Sequence, residues 1–219
     1  LQSSVSLGDA KYTDWFRFAR GWAEMILLMN EQPEAVPEGI HDRAADLQKQ
    51  VDASFTSWLE KRYSGLANLP PDPPVMLHHI PRFLARRLGD DGRGKIALIV
   101  VDGLAMDQWL AVRDEMSEHE CSLRFQEQAV FAWIPTVTSV SRQAIFAGKA
   151  PGFFPASIRT TSKEPALWAQ FWADRGLAPN EVVYVKGLGD GDIGEVDEAL
   201  SHPKARVAGL VVDKVDRIA

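Results

Sequence analysis

The chain has 219 residues and a net charge of −6, and 46% of its residues are hydrophobic and 25% charged, as in an ordinary globular protein. The acidic balance argues against a general nucleic-acid binder and a basic membrane-surface helix, but it leaves a local basic site open. Cys121 is the only cysteine, which excludes a disulfide framework and a cysteine-based zinc cluster and favours a cytoplasmic location. No apolar run approaches the roughly 18 residues of a membrane span. Because residue 1 is Leu, we expect a piece of a longer protein.

Residues 1–92 predict a helical region. Two long segments carry apolar residues at helical spacing, YTDWFRFARGWAEMILLMN (12–30) and IHDRAADLQKQVDASFTSWLEKRY (40–63). Four prolines in NLPPDPPVM (68–76) rule out a continuous helix in the proline-rich connector 69–81, and a short basic helix, IPRFLARRL (80–88), begins at its end. Its arginines form either a solvated face or a face for docking or phosphate binding: Arg82, Arg86 and Arg87.

Residues 93–219 predict an α/β domain with a mostly parallel sheet covered by helices, because strand and helix patterns alternate. The predicted strands are KIALIVV (95–101), FQEQAVFAWI (125–134), EVVYVKGL (181–188) and ARVAGLVVDKV (205–215). The predicted helices are MDQWLAVRDEM (106–116), SVSRQAIFAGKAP (139–151) and EPALWAQFWADRG (164–176). The first strand is almost entirely apolar, which predicts that both of its faces are buried.

Acids follow two of these strands. Asp102 comes directly after the first strand, and Asp213 ends the last one, with Asp216 three residues later. Ligands of open α/β sheets bind beyond the carboxyl ends of the strands, where carboxylates can hold divalent cations. The alternative for any one of these acids is that it only caps a helix or ends a strand.

Hydroxyl side chains lie between a strand and a helix in WIPTVTSVSRQ (133–143), at Thr136, Thr138, Ser139 and Ser141. N-capping of the helix is the structural explanation. The same position also suits phosphate chemistry, because helix N-termini attract anions. A divalent cation held by nearby acids would lower the proton affinity of the Thr138 oxygen and make it a competent nucleophile.

The segments VVDGLAMDQW (100–109), WIPTVTSVSRQAIFAGKAP (133–151), TTSKEPALWAQFW (160–172) and VVYVKGLG (182–189) resemble the PglZ family. This family is a branch of the alkaline-phosphatase superfamily, and the resemblance covers about residues 95–219. It implies an alkaline-phosphatase-like core, truncated here, that binds two adjacent divalent cations, typically zinc. It also implies a metal-dependent phosphohydrolase encoded with bacterial BREX or phage-growth-limitation defence systems.

Matched residue by residue, the resemblance implies that Asp102 is a metal ligand and that Thr138 is the metal-bound nucleophile. Ser141 stands where relatives carry a phosphate-binding Asn, and Asp216 fits the first acid of the next ligand pair. The remaining ligands would follow Ala219, so we expect an incomplete metal site, weakly metallated and inactive by itself. Lys163 and Lys186 are either phosphate clamps, in loops near the core, or exposed and ion-paired residues.

The five histidines are expected on the surface or in packing, with an adventitious metal site at His78 and His79 as the one alternative. Trp133, Trp168 and Trp172 are expected in the core rather than as base-stacking platforms.

Two functions remain open. The first is phosphomonoester or phosphodiester hydrolysis, with nucleic acid among the substrates. The second is a non-catalytic scaffold that docks other defence proteins, such as a methyltransferase or an ATPase.

Overall fold

The computed structural model describes residues 10–89, 94–120 and 122–215. In chain order, its elements are α1 (Tyr12–Glu31), α2 (Ile40–Leu66), α3 (Ile80–Leu88), β1 (Ile96–Val101), α4 (Met106–His119), α5 (Thr138–Ala147), α6 (Glu164–Ala173), β2 (Val182–Leu188), α7 (Gly194–Ser201) and β3 (Val207–Val212). The predicted fold class, a parallel sheet with flanking helices after a helical region, is confirmed. None of the described helices combines the length and the apolarity needed to cross a membrane.

The three strands form one parallel sheet in the order β1–β3–β2. Ile96 and Val182 both pair with Val207, so the three strands start level at the amino edge. Because the strands are parallel, their carboxyl ends meet at one edge of the sheet. The residues after β1, β2 and β3 therefore face a common region.

The expectation that the first strand is buried on both faces is wrong. Ile99 in β1 is 58% exposed, because Ala97 and Ile99 point to a face of the strand that is not packed against a core cluster of the described residues. Leu98 and Val100 pack against the core on the other face. The central position belongs to β3, in which five of six residues are buried. An apolar run of this kind predicts a strand, but it does not say which strand lies in the middle.

The predicted strand FQEQAVFAWI is also wrong. Among the described residues, this segment makes a single bridge, in which Phe131 pairs with Met76 of the proline-rich connector. The N–H of Phe131 donates to the Val75 carbonyl, and the N–H of Leu77 donates to the Phe131 carbonyl. The backbone is extended, as its alternating pattern predicts, but it lies along the connector and not in the sheet.

Helices α5 and α6 cover one face of the sheet. The core on this face joins Leu88, Phe146, Trp168, Phe171, Trp172, Val207 and Val211. The rings of Phe146 and Trp168 meet edge to face, with centroids 5.5 Å apart. Gly209 in β3 makes room for them, because a Cβ atom there would lie 3.0 Å from the Phe146 ring. Trp168 and Trp172 are thus core residues, as predicted, and α7 packs on the opposite face near Val185 and Leu210.

The chain divides by contacts into two compact units, Leu1–Leu66 with Leu104–Ala129, and Ala67–Gly103 with Val130–Ala219. In the first unit, Trp15 and Trp58 pack as buried aromatic residues, and the Trp58 indole N–H donates to the Ala10 carbonyl at 2.7 Å. Glu127 accepts hydrogen bonds from Trp109 and Arg113 in the same unit. The division near residue 92 stays a prediction about domains.

The proline-rich connector is held by a buried histidine pair. His79 is fully buried, and its Nδ1 accepts the backbone N–H groups of Val75 and Met76 at 3.3 Å. Its Nε2 lies 3.3 Å from the Ala67 carbonyl, so a neutral ring satisfies all three partners. His78 is 2% exposed and packs against His79 with ring centroids 4.3 Å apart. Burial, the neighbouring His79 and Arg82 lower the pKa of His78 to about 4.

These histidines predict a pH-dependent stability. His78 is neutral in the folded protein down to pH about 4, whereas the unfolded chain takes up its proton near pH 6.5. The stabilisation is complete above pH 6.5 and declines as the pH falls toward 4, by about 3 kcal/mol in total. Urea unfolding followed by tryptophan fluorescence at pH 7 and pH 5 measures this loss. His78→Phe should reduce it, and His41→Gln, an exposed control in α2, should not. Equal pH dependence in wild type and His78→Phe would contradict the assignment.

Candidate active site

Asp102 lies at the carboxyl end of β1, as predicted. Its backbone N–H donates to the Val212 carbonyl at 2.9 Å, which continues the β1–β3 pairing by one residue. Gly103 follows with a φ of +78°, a left-handed conformation that lets the chain turn directly after the acid. Asp213 is the residue after β3, so the two acids follow adjacent strands. The Asp102 side chain is 15% exposed and therefore opens to this edge only in part.

A buried arginine on α5 reaches this acid. The Nη1 of Arg142 donates to Oδ2 of Asp102 at 3.2 Å. On its other side, Arg142 binds Glu164 of α6 through two hydrogen bonds, Nε to Oε1 at 2.9 Å and Nη2 to Oε2 at 2.6 Å. The hydroxyl of Tyr184 on β2 also donates to Oε2 of Glu164, at 2.6 Å. We call these four residues the Arg142 network, and it connects β1, α5, α6 and β2.

The charges in the Arg142 network stabilise one another. The Arg142 side chain is 7% exposed and that of Glu164 is fully buried. Burial lowers the pKa of Arg142, but the hydrogen bonds and the charge of Glu164 outweigh it and raise that pKa overall. Burial, together with the hydrogen bond to Glu164, raises the pKa of Tyr184. Glu164 therefore balances the guanidinium, and Asp102 supplies the remaining negative charge of the network.

Thr138 is the first residue of α5. None of the hydroxyl side chains in this segment caps the helix. The N-cap is Val137, which makes no side-chain capping bond. Its carbonyl accepts the N–H groups of Val140 and Ser141. Among the described residues, the N–H groups of Thr138 and Ser139 have no hydrogen-bond partner. The first turn of α5 thus offers open amides, which is the arrangement that binds anions at helix N-termini.

Thr138 and Arg142 lie on the same face of α5. Residues four apart in a helix have neighbouring side chains, about 5–6 Å between their Cβ atoms. Helical side chains also lean toward the N-terminus, which brings Arg142 toward the turn that Thr138 begins. Because Arg142 also binds Asp102, we expect the carboxylate near the helix face on which Thr138 lies.

The first turn of α5 is fastened by polar contacts to the segment before α6. Gln143 is fully buried, and its amide donates to the carbonyls of Ser139 and Ser157, both at 2.8 Å. The Ser157 hydroxyl donates back to the Gln143 Oε1 at 2.6 Å. The Ser139 hydroxyl donates to the Ile158 carbonyl at 2.7 Å. Because Thr138 directly precedes Ser139, these bonds also restrict the position of Thr138.

The remaining predicted site residues, Ser141, Lys163, Lys186 and Asp216, lie on different elements or outside the described residues. Ser141 is half-buried on α5, and Lys163 is the exposed N-cap residue of α6, directly before Glu164. Lys186 was expected in a loop, but it lies inside β2 and pairs with Val211. Alternate strand residues share a face, so exposed Lys186 lies on the Tyr184 side of the sheet, nearer its carboxyl edge. Asp216 lies outside the described residues.

The described residues do not by themselves fit a metal centre. No group of three or more His, Cys, Asp or Glu side chains lies close enough together within these residues to hold an ion. Asp102 and Thr138 offer two oxygen donors, whereas a bound metal needs most of its shell from carboxylates and imidazoles. His78 and His79 are packing residues: the ring nitrogens of His79 bond the backbone of the connector, and the His78 ring packs against His79 and Trp133.

Sequence reasoning missed most of the Arg142 network and its surroundings: Arg142, Gln143, Ser157, Glu164 and Tyr184. One signal could have found the first two. Arg142 and Gln143 follow Val140 and precede the apolar run AIFA on a short helix, where two long polar side chains are costly to bury unpaired. Glu164 opens an amphipathic helix and looks like an ordinary acidic residue of the first turn, so it gave no such signal.

The sheet order, the covering helices and the site at the carboxyl edge define an α/β protein with a phosphatase-like fold. A family model described as the BREX system PglZ alkaline phosphatase-like domain matches residues 80–219. The chain belongs to the PglZ family, as its motifs indicate. No curated protein matches the chain.

The buried ion pair of Arg142 and Glu164 predicts a large loss of stability when only one of the two charges is removed. Arg142→Met leaves Glu164 buried without its cation and should lower the free energy of unfolding by about 3–5 kcal/mol. The double variant Arg142→Met/Glu164→Leu removes both charges and should recover a large part of that loss. Lys49→Met, which breaks an exposed pair with Asp46, serves as control and should cost less than about 1 kcal/mol. Urea denaturation measures all three, and additive losses in the double variant would contradict a coupled pair.

Proposed function

We propose that this chain carries a phosphoester-hydrolysing domain that acts in bacterial BREX phage defence, with Thr138 as the nucleophile. One observation carries the proposal: Thr138 begins α5 beside backbone amides that have no partner among the described residues, one helical turn from Arg142, which binds Asp102. The PglZ family supports a phosphatase-like role in defence. Phosphomonoesters and phosphodiesters, including nucleic acid, are the proposed substrates, and the cytoplasm is the proposed location.

The N-terminus of α5 would bind the phosphoryl group. The amides of Thr138 and Ser139 can donate to its oxygens, and the helix dipole adds a favourable potential for the negative charge. This potential matters most when charge builds up on the phosphoryl oxygens during transfer. The Thr138 hydroxyl is attached to the same turn, so binding would bring phosphorus close to the attacking oxygen.

The proposed cofactors are two divalent metal ions, zinc by resemblance, with Asp102, Thr138 and Asp216 as ligands. A bound cation would lower the proton affinity of the attacking hydroxyl. The described residues fall short of a complete shell, so we infer that further ligands come from outside them.

Arg142 would position Asp102. It holds Oδ2 of the carboxylate, and Oδ1 has no hydrogen-bond partner among the described residues. Outer hydrogen bonds of this kind orient carboxylate ligands and are important for ligand affinity. Because Glu164 already balances the guanidinium, Asp102 can keep its negative charge for a ligand.

Three further residues are proposed to contact substrate: Ser141, Lys163 and Lys186. Ser141 is three residues from Thr138 in α5, a spacing that places it beside the first turn. Lys186 is exposed toward the carboxyl edge, and Lys163 is exposed at the start of α6. Each lysine can supply a point charge to a phosphate oxygen.

The second candidate is a scaffold in a defence complex, with a methyltransferase or an ATPase as partner. The family supports this context because it is described as part of the BREX system. The scaffold requires no reactive hydroxyl at Thr138, so a nucleophile variant separates the two functions.

Replacement of Thr138 provides the test. In the full-length protein, with bis(p-nitrophenyl) phosphate and added Zn²⁺, Thr138→Ala should lower kcat by at least about 100-fold, because the attacking oxygen is gone. Thr138→Ser keeps a hydroxyl and should retain part of the activity. Thr136→Ala is the matched control, since Thr136 is exposed and precedes the helix. Hydrolysis that is equal in wild type and Thr138→Ala would remove Thr138 from the mechanism, whereas no hydrolysis by the wild type would favour the scaffold.

A further inference from the structure

Two arginines meet at the C-terminal ends of α5 and α6. The Nε of Arg82 donates to the Gly148 carbonyl, which follows α5, at 2.8 Å. The Nη1 of Arg175 donates to the Phe171 carbonyl in the last turn of α6 at 2.7 Å. Gly148 and Phe171 are in contact, because a Cβ atom on Gly148 would lie 2.5 Å from the Phe171 ring. The two guanidinium groups are therefore neighbours, close enough for the charge of Arg82 to act on Arg175.

Contacts with Phe171 fix the orientation of Arg175. Its guanidinium carbon lies 3.6 Å from the centroid of the Phe171 ring, so the planar group stacks on the aromatic face. Stacking and the carbonyl bond hold the group in place without a carboxylate. A fixed fork of N–H donors loses little entropy when it binds an oxyanion.

The two cations repel each other. Burial and then the charge of Arg82 lower the pKa of Arg175, and the nearby Asp174 only partly compensates. Asp174 also accepts a hydrogen bond from the Gln170 amide. Among the described residues, neither Arg82 nor Arg175 forms a salt bridge, in contrast to Arg142. An anion between the two groups would relieve the repulsion.

Unused donors on both arginines suit such an anion. A guanidinium has five N–H donors, and Arg82 and Arg175 each give one side of the group to a helix carbonyl. The other N–H groups have no partner among the described residues. Two forks around one site match a tetrahedral, doubly charged oxyanion better than a singly charged planar carboxylate.

We propose that Arg82 and Arg175 form a phosphate-binding site at the C-terminal ends of α5 and α6. The site is separate from Thr138, because the ten residues of α5 span about 15 Å. The bound group is a phosphate, either on a small ester or in the backbone of a nucleic acid. Exposed Lys149 follows Gly148 in the chain and adds positive charge nearby. The helix C-termini carry partial negative charge, which lowers the affinity for a single phosphate.

Arginine side-chain NMR tests the site directly. Inorganic phosphate is titrated at constant ionic strength while the Nε–Hε signals of the arginines are followed. The signals of Arg82 and Arg175 should shift in a saturable way, and that of exposed Arg62 in α2 should not. Arg82→Gln and Arg175→Gln should each weaken phosphate binding at least about tenfold. Arg175→Lys is a further variant, which keeps the positive charge but loses the planar set of N–H donors. Thr138→Ala should leave these shifts unchanged, which separates the site from the proposed nucleophile.

Two further ligands distinguish the sources of the phosphate. One is a single-stranded oligonucleotide without terminal phosphates, and the other is p-nitrophenyl phosphate. Saturable shifts of both arginines with the oligonucleotide assign the site to a nucleic-acid backbone, and shifts with the monoester alone assign it to a small ester. Shifts of Arg82 and Arg175 that are linear in phosphate and equal to that of Arg62 would overturn the proposal.

Discussion

A guanidinium that is almost wholly buried needs carboxylates beside it, and Arg142 has two. Glu164 takes two of its N–H groups and Asp102 a third, so one side chain connects a strand end to the helix that begins at Thr138. Breaking a buried pair leaves an uncompensated charge, which makes this arrangement costly to lose. This network connects α5 to the carboxyl end of β1.

The contacts of Arg142 also help to explain how the N-terminus of a short helix, α5, is held in a fixed position. Arg142 holds α5 from the β1 side, while Gln143 and Ser157 hold its first turn from the loop before α6. The core on the other side of the helix, around Phe146, is apolar and closely packed. Such rigid support is what a phosphoryl-binding turn needs, because catalytic groups act best when they are held in position before substrate arrives.

Much of the fold can be predicted from the sequence because its hydrophobic residues recur with the periods of helices and strands. The three strands and the helices around them follow from apolar runs and amphipathic patterns, and Asp102 follows from its position after a strand. The order of the strands does not follow, since an edge strand such as β1 can be as apolar as the central β3. The segment around Phe131 is extended as its pattern indicates, but whether it joins a sheet depends on a distant partner, Met76. The Arg142 network was missed for the same reason: its partners are 22 and 40 residues away in the chain.

The most direct measurement of the central claim is a crystal structure of the protein soaked with vanadate, a mimic of the phosphoryl group in transfer. The account predicts vanadium within bonding distance of the Thr138 hydroxyl oxygen, over the first turn of α5, with the Asp102 carboxylate on the same side. Vanadate bound elsewhere, with the Thr138 hydroxyl and the Asp102 carboxylate on opposite sides of α5, would contradict it.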